Sequence, residues 1–181
     1  MNILVKTHSD KIYCRPDTSW ERENRDYYVP EGINSLNYSP ILFVRISKAG
    51  KCVQKKFASR YYDSFGYGIL LYIGDCTEDL ATTSCADRTS LLPHPLYNPL
   101  VLDFENKEFS IFQNENLIYN TKEGSKEIIE EALEQASKLI SIRIGDFLAI
   151  EMAPPTKLEI TGEANIKAIF NEDEIFNFKI I

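Results

Sequence analysis

Apolar residues along this chain recur mostly in short runs with a two-residue period, and the elements they predict are mainly strands. Residues 2–6 (NILVK) and 11–14 (KIYC) read as short strands around a polar THSD turn. From Arg15 to Glu31 the pattern breaks into loop chemistry, with Pro16 and Pro30 as punctuation and a dense charge mix between them. Residues 41–46 (ILFVRI) form an almost unbroken β-branched and aromatic run, the mark of a buried strand, and a short strand is expected near 51–53. Phe57, Ala58, Tyr61, Tyr62 and Phe65 fall at helical spacing and predict a short amphipathic helix closed by Gly66 and Gly68. ILLYIGD (69–75) reads as a further buried strand.

Residues 76–99 read as a long connection, polar at first and then rich in proline around His94 and Tyr97. LVLDF is expected as a strand, and EFSIFQNENLIYN as a hairpin. The clearest element is the helix of SKEIIEEALEQASKLI. Its apolar positions Ile128, Ile129, Ala132, Leu133, Ala136, Leu139 and Ile140 share one face, and Ser125 suits its N-cap. IRIGDFLAIEM, KLEIT, NIKAIF and EIFNFKII close the chain as strands. Many short strands and two short helices predict an α+β fold that is mostly β, not a doubly wound parallel sheet.

Composition changes this picture little. At 181 residues the chain is expected to be one domain, 1–181, long enough to bury a core without disulfides or a structural metal. A formal charge of −7 argues against a nucleic-acid backbone binder and a polybasic membrane anchor. No apolar run approaches the roughly 18 residues of a membrane span, and MNILVKTHSDK does not read as a secretory signal, so the expected location is cytoplasmic. Cys14, Cys52, Cys76 and Cys85 are scattered and only two histidines are present, which excludes a zinc finger and suits free thiols in a reducing compartment. No P-loop, dinucleotide fingerprint, H-E-x-x-H or Ser-His-Asp order is present.

Several strings together resemble the fumarylacetoacetate hydrolase superfamily. RPDTSW resembles that family's Lys-Pro-x-Thr-Ser segment, with Arg15 in place of the lysine. PILFVRISKAGKCV resembles its strand followed by Lys-x-Gly-Lys, and SFGYGILLYIGDCTEDL its Gly-Tyr-rich strand leading to an acidic segment. The helix, the Gly145-Asp146 turn and the closing strands follow in the family's order, so the likeness runs over residues 12–181. It implies a mixed β-roll-like fold, commonly dimeric, in which Mg²⁺ or Mn²⁺ held by a Glu-x-Glu pair and an aspartate polarises a 2-oxo acid or 1,3-dicarbonyl.

The same resemblance exposes a departure. Its Glu-x-Glu positions fall on Ser39 and Ile41, and its Thr-Gly-Thr-Pro segment becomes Glu151-Met152-Ala153-Pro154. The remaining metal candidates are Asp75 and Asp79, in an acidic turn that also reads as ordinary punctuation after a strand, with Glu151 able to add a carboxylate from a neighbouring strand end. Arg15, Thr18, Ser19 and Glu151 are the candidate substrate-binding residues. Arg15 would grip a carboxylate through its guanidinium fork. Arg15 and His94 are the catalytic candidates, His94 as a general base or else a plain loop histidine. Tyr61, Tyr62, Tyr67 and Tyr72 read as core. Two functions follow as expectations: a family-like homodimer with a degenerate metal site that holds a small oxo acid weakly or acts without catalysis, and an active metal-dependent hydrolase, isomerase or decarboxylase with a relocated acidic site.

Overall fold

The computed structural model describes residues 1–74, 80–105, 107–159 and 162–181. Its strands are β1 (Asn2–Lys6), β2 (Ile12–Pro16), β3 (Trp20–Glu21), β4 (Leu36–Ile46), β5 (Tyr62–Ile73), β6 (Ser90–Leu91), β7 (Phe109–Gln113), β8 (Asn116–Thr121), β9 (Phe147–Glu151), β10 (Thr156–Lys157), β11 (Ala164–Phe170) and β12 (Asp173–Ile180). The helices are α1 (Leu80–Cys85) and α2 (Lys126–Leu139), with 3-10 turns at Asp17–Ser19, Lys55–Arg60 and Pro99–Asp103. The fold is α+β and mostly β, as expected.

The larger sheet has the order β2-β1-β9-β4-β5-β6-β3, with β10 added beside β4. Its pairs are antiparallel except β1–β9 and β3–β6, so the sheet is mixed. The two ends of this order, β2 and β3, are separated in the chain only by Asp17–Ser19. The sheet must therefore curl until its edges nearly meet, and the result is a roll. Strand alternation sends one set of side chains into the roll: Ile3, Val5, Ile41, Phe43, Leu70, Tyr72, Leu92, Phe147 and Ala149 are buried there, with Tyr13 and Trp20 packed against them. The opposite face, including Leu4, Leu42, Val44, Leu71 and Leu148, shares a core with α2 and with the second sheet, β12-β11-β7-β8. β4 is thus buried on both faces up to the exposed Arg45, which explains the apolar run Ile41–Val44.

Several local expectations are corrected. The helix expected over 57–65 is a 3-10 turn, and its second half belongs to β5, because the β4 ladder continues as far as Tyr62. The expected strand near 51–53 is a turn with Cys52 at φ 51°. The first four residues of LVLDF lie in the 3-10 turn Pro99–Asp103, begun by Asn98, whose side chain accepts from the Leu100 N–H, and ended by Phe104. The connection 76–99 contains α1. The 109–121 hairpin stands as expected, and Asn114 and Glu115 both have positive φ at its turn. The long helix α2 also stands, with Ser125 Oγ accepting from the Ile128 N–H at 3.3 Å. Cys14, Cys52 and Cys85 are free and exposed. Among the described residues no helix is long and apolar enough to cross a membrane.

Candidate functional site

Arg15 is the largest fully buried side chain, and β2 sends it toward the interior of the roll together with Tyr13, two residues earlier on the same face. Its Nη1 donates to the carbonyls of Leu71 (3.1 Å) and Thr89 (3.2 Å) and to Thr89 Oγ1 (3.0 Å). Its Nε donates to the Tyr13 hydroxyl at 3.2 Å, and the guanidinium carbon lies 4.5 Å from the centre of the Tyr72 ring. Among the described residues its Nη2 has no partner, although it is buried.

Glu151, at the end of β9, is 6% exposed. One of its oxygens accepts from the Tyr72 hydroxyl and the other from the backbone N–H of His8 at 2.8 Å. The Tyr13 and Tyr72 hydroxyls are 2.8 Å apart. The Tyr72 proton is committed to Glu151, so Tyr13 donates to Tyr72 and itself accepts from Arg15. The result is a buried line, Arg15 to Tyr13 to Tyr72 to Glu151, polarised in one direction. Burial pushes the Tyr72 hydroxyl far above the usual tyrosine range, and the charge of Arg15 offsets only part of that. Burial also raises Tyr13, against the same arginine.

The positions where the resemblance expects metal ligands lie beside this line. Ile41 pairs with Glu151 across β4 and β9, and it is fully buried in the roll interior. Ser39 is also fully buried, and its hydroxyl donates to the Ala153 carbonyl at 2.7 Å. An aliphatic chain, a hydroxyl with its proton committed, and a carboxylate already holding two donors do not fit a dication. Among the described residues no three Cys, His, Asp or Glu side chains converge as metal ligands. Asp75 and Asp79 lie outside the described residues.

The other candidates are dispersed. Ser19 is buried, but its hydroxyl bonds to the Pro16 carbonyl (2.7 Å) and to Ser90 Oγ (3.0 Å). Thr18 is exposed, and its carbonyl accepts from the Arg88 N–H. His94 is exposed, 6.2 Å from the Trp20 ring, and Trp20 packs against Phe147 in a tilted pair with centroids 5.2 Å apart. Phe147 begins β9 and Glu151 ends it, about 13 Å apart at the rise of a strand. His94 therefore sits at the far end of the roll from Glu151. Partial burial, then the charges of Arg22 and Arg45, hold its imidazole below the usual histidine value. The residues that sequence reasoning missed are Tyr13 and Thr89, and Tyr72 was placed in the core without a polar role. The available signal was parity: Tyr13 shares a strand face with Arg15, and Tyr72 puts a hydroxyl on an otherwise apolar interior face.

No family model matches the chain, and no curated protein matches it by sequence. Solved structures do match. Fumarylpyruvate hydrolase from Pseudomonas aeruginosa, in complex with Mn²⁺ and pyruvate, superposes with a TM-score of 0.81 at 12% identity, over 100% of this chain and 89% of that one. A protein from Yersinia pestis assigned to the fumarylacetoacetate hydrolase family gives 0.78 at 14% identity, over 99% and 92%. This chain has the fumarylacetoacetate hydrolase fold. The 5-carboxymethyl-2-hydroxymuconate delta-isomerase from Mycobacterium smegmatis has the same fold, with a TM-score of 0.81 at 12% identity over 99% of this chain and 78% of that one. Hydrolases and an isomerase thus share the fumarylacetoacetate hydrolase fold with this chain, and a fold hosts many chemistries, so activity must be argued from the site.

Proposed function

We propose that this chain is a non-catalytic protein of the fumarylacetoacetate hydrolase fold, acting in the cytoplasm as a homodimeric binding or interaction protein. In this reading its interior has become core, and a small oxo acid is held only weakly. The observation that carries it is the pairing of Ile41 with Glu151: an aliphatic side chain faces a carboxylate whose two oxygens already accept hydrogen bonds. Ser39, Ile41, Phe43 and Leu70 are fully buried at that end of the interior. Two surface clefts support the same reading by their place. One of about 510 Å³ is lined by Val29, Ile33 and Leu158, and one of about 470 Å³ by Tyr38, Asn116 and Lys157. Neither includes Arg15, Ser39, Ile41 or Glu151.

The test is a thermal-denaturation titration with millimolar Mn²⁺ or Mg²⁺, alone and with pyruvate, beside turnover assays on 2-oxo acids and 1,3-dicarbonyls. A ligand that binds only the native state raises the midpoint by mass action. The expected outcome is no saturable rise and no turnover. A saturable metal-dependent rise accompanied by turnover would replace this reading with an active enzyme whose relocated site draws on Asp75, Asp79, Glu151 and Arg15.

A further inference from the structure

A buried carboxylate is costly unless a positive charge answers it, and hydrogen bonds from neutral donors meet only part of that need. Glu151 is held by two neutral donors, the Tyr72 hydroxyl and the His8 N–H. The resemblance places a dication beside it, at Ser39 and Ile41, where the chain offers no ligand. Arg15 is the converse case: its guanidinium is fully buried, yet its described partners are carbonyls and hydroxyls, with no carboxylate among them. The two opposite charges are the ends of one hydrogen-bonded line, and both tyrosine hydroxyls in it accept once and donate once in the same sense. A line polarised in this way strengthens each of its bonds, and a low-dielectric interior lets the end charges interact across it.

We infer that Arg15 is the internal counter-cation of Glu151, coupled to it through Tyr13 and Tyr72, and stands in for the dication of the fold's metal positions. The two hydroxyls are the hydrogen-bonded route of that coupling, since the guanidinium touches Tyr13 and Tyr72 and no oxygen of Glu151, and the direct attraction of the two charges adds to it. The interior is thus neutralised by the chain itself and stays closed in the absence of any ion. This inference rests on the closed-interior reading above.

The experiment is a double-mutant cycle by urea denaturation of the full chain, with Arg15→Met, Glu151→Gln and the two together, repeated in a Tyr72→Phe background. Each single change lowers the midpoint. The double change is expected to lower it by clearly less than the sum, because each single variant leaves the opposite charge unanswered. In the Tyr72→Phe background the coupling should shrink, so that the two losses come closer to additive. Additive losses in the natural background would overturn the inference, and so would coupling that Tyr72→Phe leaves undiminished. If Arg15→Met does not fold, Tyr13→Phe takes its place, since it cuts the line while leaving the bonds of Nη1 intact. An additive cycle in a chain that ignores metal and oxo acids discards the relay alone, whereas metal-dependent turnover by the unaltered chain discards the closed-interior reading.

Discussion

At the scale of single residues, the roll is held by atoms with almost no room to move. Gly68 lies where β6 crosses β5, and a Cβ there would stand 2.1 Å from the Leu91 carbonyl oxygen. The clash is with backbone, so no side-chain rotation relieves it. Gly68→Ala is expected to cost about 2–3 kcal/mol in urea denaturation, at the upper end of overpacking penalties; an unchanged midpoint would mean that β5 and β6 part easily. Asp146 works in the opposite sense. Nearly fully buried, it accepts from the backbone N–H groups of Asn2 and Arg143 at 2.8 and 2.9 Å, and so pins the start of β1 to the turn before β9. The sequence marks Gly145-Asp146 as a turn, and Gly145 has φ 88°. It does not reveal that the carboxylate reaches across to a residue 144 positions away.

At the scale of elements, legibility follows periodicity. α2 was plain because its apolar face, its cap and its first-turn Glu127 agree. The 57–65 segment is ambiguous in sequence because Phe57, Ala58, Tyr61, Tyr62 and Phe65 satisfy a helical spacing while Phe65 and Tyr67 satisfy a strand. The ladder to β4 decides between them, and a long-range pairing is not visible in a local window. The arm from Trp20 to Pro30 has almost no regular structure and is tied by polar contacts. Arg88 Nε donates to Glu21 Oε2 at 2.8 Å, Arg88 Nη2 to the Asp26 carbonyl at 3.1 Å, and the Lys179 N–H to Asp26 Oδ1 at 2.9 Å.

Burial pushes the Glu21 carboxyl up, but the Glu23 N–H and the Arg88 guanidinium outweigh it and hold it below the usual carboxylate value. A carboxyl lowered on folding contributes stability that is complete above its unfolded value and is lost as pH falls through the folded one. The arm is therefore expected to loosen on acidification below about pH 4. Hydrogen exchange at residues 21–29 should show it, and protection that persists unchanged to pH 3 would contradict it.

At the scale of the whole molecule, the roll and the second sheet share one core, and the last strand ties them together. Tyr27 N–H donates to the Lys179 carbonyl at 2.7 Å, Ile181 N–H to the Tyr27 carbonyl at 2.9 Å, and Ile180 is fully buried. The expectation is a single cooperative transition. Trp20, the only tryptophan, reports the roll by fluorescence, and far-ultraviolet circular dichroism reports both sheets. The two curves should coincide, and Ile180→Ala should shift both together by about 2–5 kcal/mol. Separate transitions would show that the sheets unfold independently.

The class of fold, the long helix, the hairpin of 109–121 and the absence of acids at positions 39 and 41 are legible in the amino-acid order, because each is written in neighbouring residues or in one side chain's chemistry. What those positions became depends on how the strands pair in space. The strand pairing that sets Ile41 against Glu151, and the line from Arg15 through Tyr13 and Tyr72, join residues as far as 110 positions apart. A hydrogen bond takes its partner from the folded space, and no local spacing encodes which side chain will be waiting there.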